Sequence, residues 1–342
     1  MNAGACSGLT LSLASCPRLE RRGLASANGS KGKGAGRRSL LALAAVFAMQ
    51  NLAGFPQTTY YAGIVYVLYF LVRIRHRDGG VARVGNVIEG KQRRVGKVVA
   101  FFSIYRNSFV AWFFLALFLG MLVSAVQLVP TAELVSHAQR AGGVSYQYAT
   151  RFNYDPSSLM NLVYAQANGD IGNMTYTGHG IFWEDYGYTG FFILVLAVFA
   201  AVREWRKWPT KFFVVSLIVA IYLVLGKVSP LYAIAFRVVP GMSLFRFPTR
   251  FLFLVDASLA VLAALGITRW LETIKAKSAG RAWIVPAAGM AFVVVIFSDL
   301  VFFQMRQNAI ADARSWLAVP TSVASMSREG LFRVYSPEAE ET

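Results

Sequence analysis

Long apolar runs alternate with short polar segments along most of this 342-residue chain. A helix needs roughly 20 apolar residues to cross about 30 Å of hydrocarbon. Five runs predict such helices, and two shorter runs separated by Pro56 predict a tight helical hairpin or a re-entrant one. The predicted spans are Ser39–Phe55, Thr58–Val72, Phe109–Val129, Tyr188–Val202, Phe212–Leu225, Phe251–Thr268 and Trp283–Phe303. The pattern predicts an all-α integral membrane protein with about seven transmembrane helices.

The composition agrees, since 56% of the residues are hydrophobic and 15% are charged, whereas soluble domains have about 25% charged residues. Residues 1–38 lack periodicity and predict a disordered, basic, cytoplasmic tail. Two other interpretations of this tail stay open. Leu13-Ala14-Ser15-Cys16 resembles a lipoprotein cleavage box, and the acid-poor leader could be an organellar transit peptide. The two cysteines, Cys6 and Cys16, both lie in this tail and predict no disulfide framework.

The net charge of +17 raises the question of a nucleic-acid partner. With the N-terminus placed inside, the cytoplasmic segments are 1–38, 73–106, 202–211 and 269–281, and they hold 24 of the 34 lysine and arginine residues. This is the positive-inside pattern of a multi-pass protein of the bacterial cytoplasmic (inner) membrane, in contact with the lipid bilayer. It accounts for most of the net charge without nucleic acid.

Two loops are predicted on the external face. The segment Pro130–Gly187 is long and polar, and Asp155-Pro156 begins a short capped helix that we expect on the membrane surface or packed on the bundle. The segment Gly226–Arg250 carries four basic residues and no acidic one, against the positive-inside trend. A departure from such a rule marks a place to look for function.

Candidate site residues lie in both loops. Glu184 and Asp185 are candidates for a catalytic role or for holding a divalent cation through oxygen ligands. We expect Glu184 to face a cavity and Asp185 to cap the following span. Basic residues can bind a phosphate, and aromatic ones can anchor at the interface and contact a sugar. The candidate binding residues are Arg246, Arg250, Lys227, Arg237, Trp183 and Tyr186.

A structural interpretation of the same residues stays open, in which the acids pair with the arginines or the arginines extend to lipid headgroups. The three histidines, His76, His137 and His179, show no metal-ligand spacing, and no cofactor motif is found. Asp256 and Asp299 are the acids inside the predicted spans, and we expect both near the outer ends.

Five segments together resemble the YfhO family of bacterial membrane proteins, over roughly residues 40–335. They are LAGFPQTTYY (52–61), QLVPTAEL (127–134), FWEDYGYTGFF (182–192), GKVSPLY (226–232) and PGMSLFRFPTRFLFL (240–254). The family is similar to the GT-C class of glycosyltransferases, which take sugar from a polyprenyl-phosphate carrier. The resemblance implies a role in cell-envelope glycosylation, with a polyprenyl-phosphate sugar as ligand and an envelope glycopolymer as acceptor.

The chain departs from that family in two respects. Family members are longer, and residues 304–342 resemble the beginning of a further external region, so we expect a fragment. GT-C enzymes usually place a catalytic carboxylate in the first external loop, which here is the acid-free turn 54–57. Whether this chain is an active glycosyltransferase therefore stays open. The alternatives are a transporter or flippase for lipid-linked glycans, and a non-catalytic scaffold for envelope assembly.

Overall fold

The computed structural model describes residues 39–88, 110–138, 141–170, 172–178, 181–278, 281, 283–305 and 312–318. Within these ranges the chain forms α-helices, 3-10 helices and turns, without any β-strand. The prediction of an all-helical fold is confirmed for this part of the chain. The predictions for the 1–38 tail, for most of the 73–106 loop and for most of the 304–342 tail lie outside the described residues.

Twelve α-helices are described in these ranges. They are α1 (Ser39–Leu52), α2 (Pro56–Ile88), α3 (Val110–Val123), α4 (Ala125–Ser136), α5 (Tyr146–Ala149), α6 (Phe182–Asp185), α7 (Phe191–Arg203), α8 (Trp208–Val224), α9 (Pro230–Val238), α10 (Leu252–Lys277), α11 (Ile284–Gln304) and α12 (Ala313–Leu317). Four 3-10 helices lie between them, at Pro156–Leu162, Gly226–Val228, Met242–Leu244 and Pro248–Phe251.

Length and hydropathy identify fewer membrane spans than the seven predicted. Two helical segments in the described ranges are long and apolar enough to cross a bilayer, Pro248–Lys277 and Ile284–Gln304, and α3 with α4 makes a third if that bent pair is one span. Three further apolar helices, α1, α7 and α8, have only 10 to 17 residues. These apolar helices indicate a membrane-associated protein.

The predicted span Phe109–Val129 is interrupted in the structure. α3 and α4 meet at Ser124 with a bend of 71°. The Ser124 hydroxyl donates hydrogen bonds to the carbonyls of Gly120 and Met121, a pattern that bends helices. Hydropathy alone cannot predict this bend, because apolar residues continue on both sides of it.

The hairpin predicted around Pro56 is confirmed. The chain turns between α1 and α2, where Gly54 has a φ of +79°. The Tyr66 hydroxyl bonds to Gln50 Oε1 at 3.2 Å, so the two helices pack side by side. α2 continues to Ile88 rather than ending near Val72.

α10 is the centre of the bundle and packs against both α7 and α8. Its buried residues recur every three or four positions, as expected for one helix face: Val255, Leu259, Leu262 and Gly266. A Cβ on Gly266 would lie 2.3 Å from the carbonyl oxygen of Leu196 in α7. Only glycine permits this close approach of the two backbones.

One end of the bundle is covered by the two polar loops, and we call it the loop end. The 3-10 helix Pro156–Leu162 lies here, with Asp155 accepting a hydrogen bond from the Ser157 N–H at 2.9 Å and proline at its start. Leu159 and Leu162 pack against the buried core of the bundle. The predicted capped helix is therefore confirmed as a 3-10 helix, and of the two predicted locations it adopts the packed one.

Candidate functional site

The candidate site lies at the loop end, where α6 meets the segment 246–250. α6 is a single turn, and the N–H groups of Glu184 and Asp185 both bond to the carbonyl of Ile181. Neighbouring residues on a helix point about 100° apart. The two adjacent carboxylates consequently have different surroundings.

Glu184 is bound by Arg250. Arg250 Nε lies 3.2 Å from both carboxylate oxygens, and Nη2 lies 2.9 Å from Oε1. Arg250 Nη1 donates to Gln57 Oε1 at 2.7 Å. The side chains of Arg250 and Glu184 are 20% and 18% exposed, so this two-pronged ion pair is largely shielded from water.

Gln57 extends this network to a third segment. Its amide nitrogen donates to the hydroxyl of Tyr61 and to the carbonyl of Arg246, each at 2.8 Å. Gln57 is buried at the start of α2. The network thus connects α2, α6 and the segment 246–250 through buried or half-buried polar groups.

Phe247 lies between the two arginines. The guanidinium carbons of Arg246 and Arg250 are 4.4 and 4.7 Å from the centre of its ring, within the range of cation–π attraction. Phe247 has a φ of +63°, a conformation that costs a bulky residue about 1–3 kcal/mol. This strained backbone brings both guanidinium groups to one aromatic ring.

Arg246 differs from Arg250 in its partners. Its Nη1 donates to the Tyr148 hydroxyl at 2.9 Å, and no salt bridge to a carboxylate is found for it within the described ranges. The side chain is half-buried. Arg246 therefore presents a cation with most of its N–H donors available.

Asp185 faces the interior and is 4% exposed. The Tyr176 hydroxyl donates to its Oδ2 at 3.2 Å, while Oδ1 has no hydrogen-bond partner among the described residues. Burial raises the pKa of Asp185 to about 6, with the Tyr176 hydrogen bond opposing and the charges of Glu184 and Asp155 adding to the increase. Buried carboxyl groups with raised pKa values are frequent at functional sites.

A small cavity of about 10 Å³ adjoins Asp185. Its lining also includes Tyr186, whose buried hydroxyl has no partner among the described residues and whose pKa is raised to about 12, chiefly by burial. The complete lining is Asn161, Ala165, Asn168, Gly169, Tyr176, Phe182, Asp185 and Tyr186. Two unpartnered buried oxygens thus line one cavity.

The chain between α6 and α7 is held by acids from two other helices. Asp256 of α10 accepts from the Thr189 hydroxyl at 2.9 Å. Asp299 of α11 accepts from the Tyr188 hydroxyl at 2.7 Å and from the Phe191 N–H at 2.9 Å. Both acids therefore lie level with the start of α7, near the loop end.

The predicted roles of Glu184 and Asp185 are wrong. Glu184 was expected to face a cavity, but Arg250 binds it. Asp185 was expected to cap α7, but it lines the cavity, and Asp299 binds the first N–H of α7 instead. Glu184 instead pairs with an arginine, which is the structural interpretation that was left open for the acids.

The other candidates lie around this centre. Lys227 and Arg237 are exposed and make no salt bridge found in the described part of the chain, and they are not brought into the Arg250 network. Trp183 is 74% exposed. The sequence analysis missed four residues of the site: Gln57, Tyr148, Tyr176 and Phe247. Only Gln57 had a signal in the sequence, because it is an amide in the acid-free turn that precedes a predicted span.

Comparisons of the chain with protein-family models, with curated proteins and with solved structures found no match.

Proposed function

We propose that this chain is a GT-C-like, YfhO-type membrane protein that binds a polyprenyl-phosphate-linked sugar at the external face of a bacterial cytoplasmic membrane. The proposal concerns binding, and it assigns no catalytic residue. The acceptor in this proposal is a cell-envelope glycopolymer.

One observation carries the proposal: two arginines share the Phe247 ring, and one of them has no carboxylate partner among the described residues. A guanidinium with free N–H donors suits a phosphate, because its planar fork matches two phosphate oxygens. Arg246 is the primary ligand in this proposal. Arg250 keeps Glu184 and Gln57 and adds positive potential beside it.

The location of the arginines supports a lipid-linked ligand. Segment 246–250 leads directly into α10, through the 3-10 helix Pro248–Phe251. A phosphate bound there would lie where an apolar chain can enter the bilayer beside the bundle. Exposed Trp183 offers an aromatic face near the same end, which suits a sugar ring.

The proposed topology has seven spans with the N-terminus inside. α1, α7 and α8 would cross with the help of their flanking residues, in a locally thinned bilayer. A cysteine-free protein with Asn173→Cys should react with an impermeant reagent in intact cells, while Arg206→Cys should react only after lysis. The reverse labelling would place the loop end inside and refute the external site.

The ligand is tested by equilibrium binding to purified protein in nanodiscs. We expect Arg246→Ala to weaken binding of a polyprenyl-phosphate sugar about tenfold or more, because charge-assisted hydrogen bonds contribute roughly 1.5–3 kcal/mol. Arg246→Lys should weaken it less, because the charge remains but the planar fork is lost. Arg206→Ala, at the opposite end of α7, is the matched control. Equal affinities for Arg246→Ala, the control and the unaltered protein would refute the proposal.

A further inference from the structure

We infer that the cavity beside α6 binds one small monovalent cation, sodium in particular, with Asp185 Oδ1 and the Tyr186 hydroxyl among its ligands. The site is separate from the arginines proposed to bind phosphate, and the inference does not depend on the identity of any sugar.

The first step is the pair of unpartnered oxygens. Asp185 Oδ1 and the Tyr186 hydroxyl are both buried and have no hydrogen-bond partner in the described part of the chain, and both residues line the same cavity. A buried polar group without a partner costs free energy, and more so when it is charged. One ligand in the cavity would satisfy both oxygens.

The second step is the sign of the local charge. Asp185 makes no salt bridge within the described ranges, and its neighbour in the chain, Glu184, is also acidic. Arg250, the nearby cation, already binds Glu184. A water molecule could complete the hydrogen bonds, but it would leave the ionised carboxylate of Asp185 without a balancing charge. A cation provides that charge.

The third step is the size and valence of the ligand. A cavity of about 10 Å³ has room for roughly one water-sized particle, so it excludes metabolites and hydrated ions. No group of three or more histidine, cysteine, aspartate or glutamate side chains suited to a metal occurs among the described residues. One carboxylate balances one positive charge. Asn161 and Asn168, which also line the cavity, carry amide oxygens of the neutral kind that hard cations accept as ligands.

Thermal unfolding of the purified full chain in detergent tests the inference. The midpoint is measured in sodium chloride and in N-methyl-D-glucamine chloride at equal ionic strength, so that screening is the same. A ligand that binds only the folded state raises the midpoint with its concentration. We expect the midpoint to rise with sodium and not with the bulky organic cation. Equal midpoints in the two salts would overturn the inference and leave water as the occupant.

Two variants locate the effect. Asp185→Asn should raise the apparent Kd for sodium about tenfold or more, because the charged ligand is lost. Tyr186→Phe keeps the carboxylate and should raise that Kd by a smaller factor. Glu133→Gln, an exposed acid on α4, is the control and should retain the full sodium effect. A sodium effect of unchanged size in both Asp185→Asn and Tyr186→Phe would refute this site. If Asp185→Asn does not fold, Tyr186→Phe and the comparison of salts decide the question.

Discussion

The Glu184–Arg250–Gln57 network provides a prediction whose size follows from its geometry. Arg250→Lys keeps the positive charge but replaces a planar fork by a single ammonium group. The fork donates to both oxygens of Glu184 and to Gln57 Oε1. An ammonium at the end of a flexible stem cannot meet both partners in these directions.

The expected cost is about 2–3 kcal/mol of unfolding free energy. Losing a hydrogen bond to a charged group costs roughly 1.5–3 kcal/mol, and leaving buried Gln57 without its donor adds roughly 1 kcal/mol, less what the lysine recovers. Glu184→Gln should cost less, because the amide still accepts one bond from Arg250. In the double variant we expect a coupling energy of about 1–2 kcal/mol, since the two side chains touch.

Reversible unfolding by dodecyl sulfate in mixed micelles measures these values. Arg206→Lys, an exposed arginine far from the network, is the matched control and should change stability by less than about 0.5 kcal/mol. If Arg250→Lys costs no more than this control, the ion pair contributes nothing measurable. The assignment of the network as the connection between α2, α6 and the segment 246–250 would then be wrong.

Three further predictions concern packing, the α6–α7 connection and pH. Gly266→Ala should destabilise the protein by about 1–3 kcal/mol in the same unfolding assay, because the added Cβ would collide with α7. Gly289→Ala is the control and should be tolerated, because the nearest atom to its added Cβ is 3.8 Å away. Asp299→Asn should cost about 1–2 kcal/mol, because the α7 N-terminus loses a charged acceptor, and an unchanged midpoint would contradict the capping role. In sodium-free buffer, the difference in unfolding free energy between the unaltered protein and Asp185→Asn should change with pH: the unaltered protein should lose stability as pH rises from about 4 to above 6. The reason is that the raised pKa of Asp185 makes the folded state hold this proton more tightly than the unfolded state does. A difference that stays constant across that range would contradict the prediction.

The existence of helices was predictable from hydropathy, but their ends were not. α10 was expected to end near Thr268 and continues to Lys277, through Arg269 and Glu272. These residues form helix readily and lie in a polar environment. Hydropathy reports which solvent surrounds a segment, and the backbone can remain helical after the solvent changes.

The contacts of the two site carboxylates could not be predicted from the sequence, for a different reason. Glu184 and Asp185 are adjacent, and the partner of Glu184 lies 66 residues away. The position of Arg250 depends on the left-handed backbone at Phe247, a residue type that rarely adopts it. Preferences of single residues therefore could not predict the partner of either carboxylate. They did predict the helix cap at Asp155, where donor and acceptor are two residues apart.

The hydrogen bonds of Asp299 have a consequence for the order in which the protein folds during its synthesis. It is supplied by α11, yet it binds the N–H of Phe191, which is synthesised 108 residues earlier. α11 has no buried residue among those described, so this contact is a principal polar attachment of α11 to the older helices. Until α11 has been synthesised, the Phe191 N–H and the Tyr188 hydroxyl have only each other as hydrogen-bond partners among the described residues, and the Asp299 carboxylate that binds both is missing. The loop end is therefore expected to reach its final form only late in biosynthesis, and a ribosome stalled before residue 299 should expose it to proteolysis.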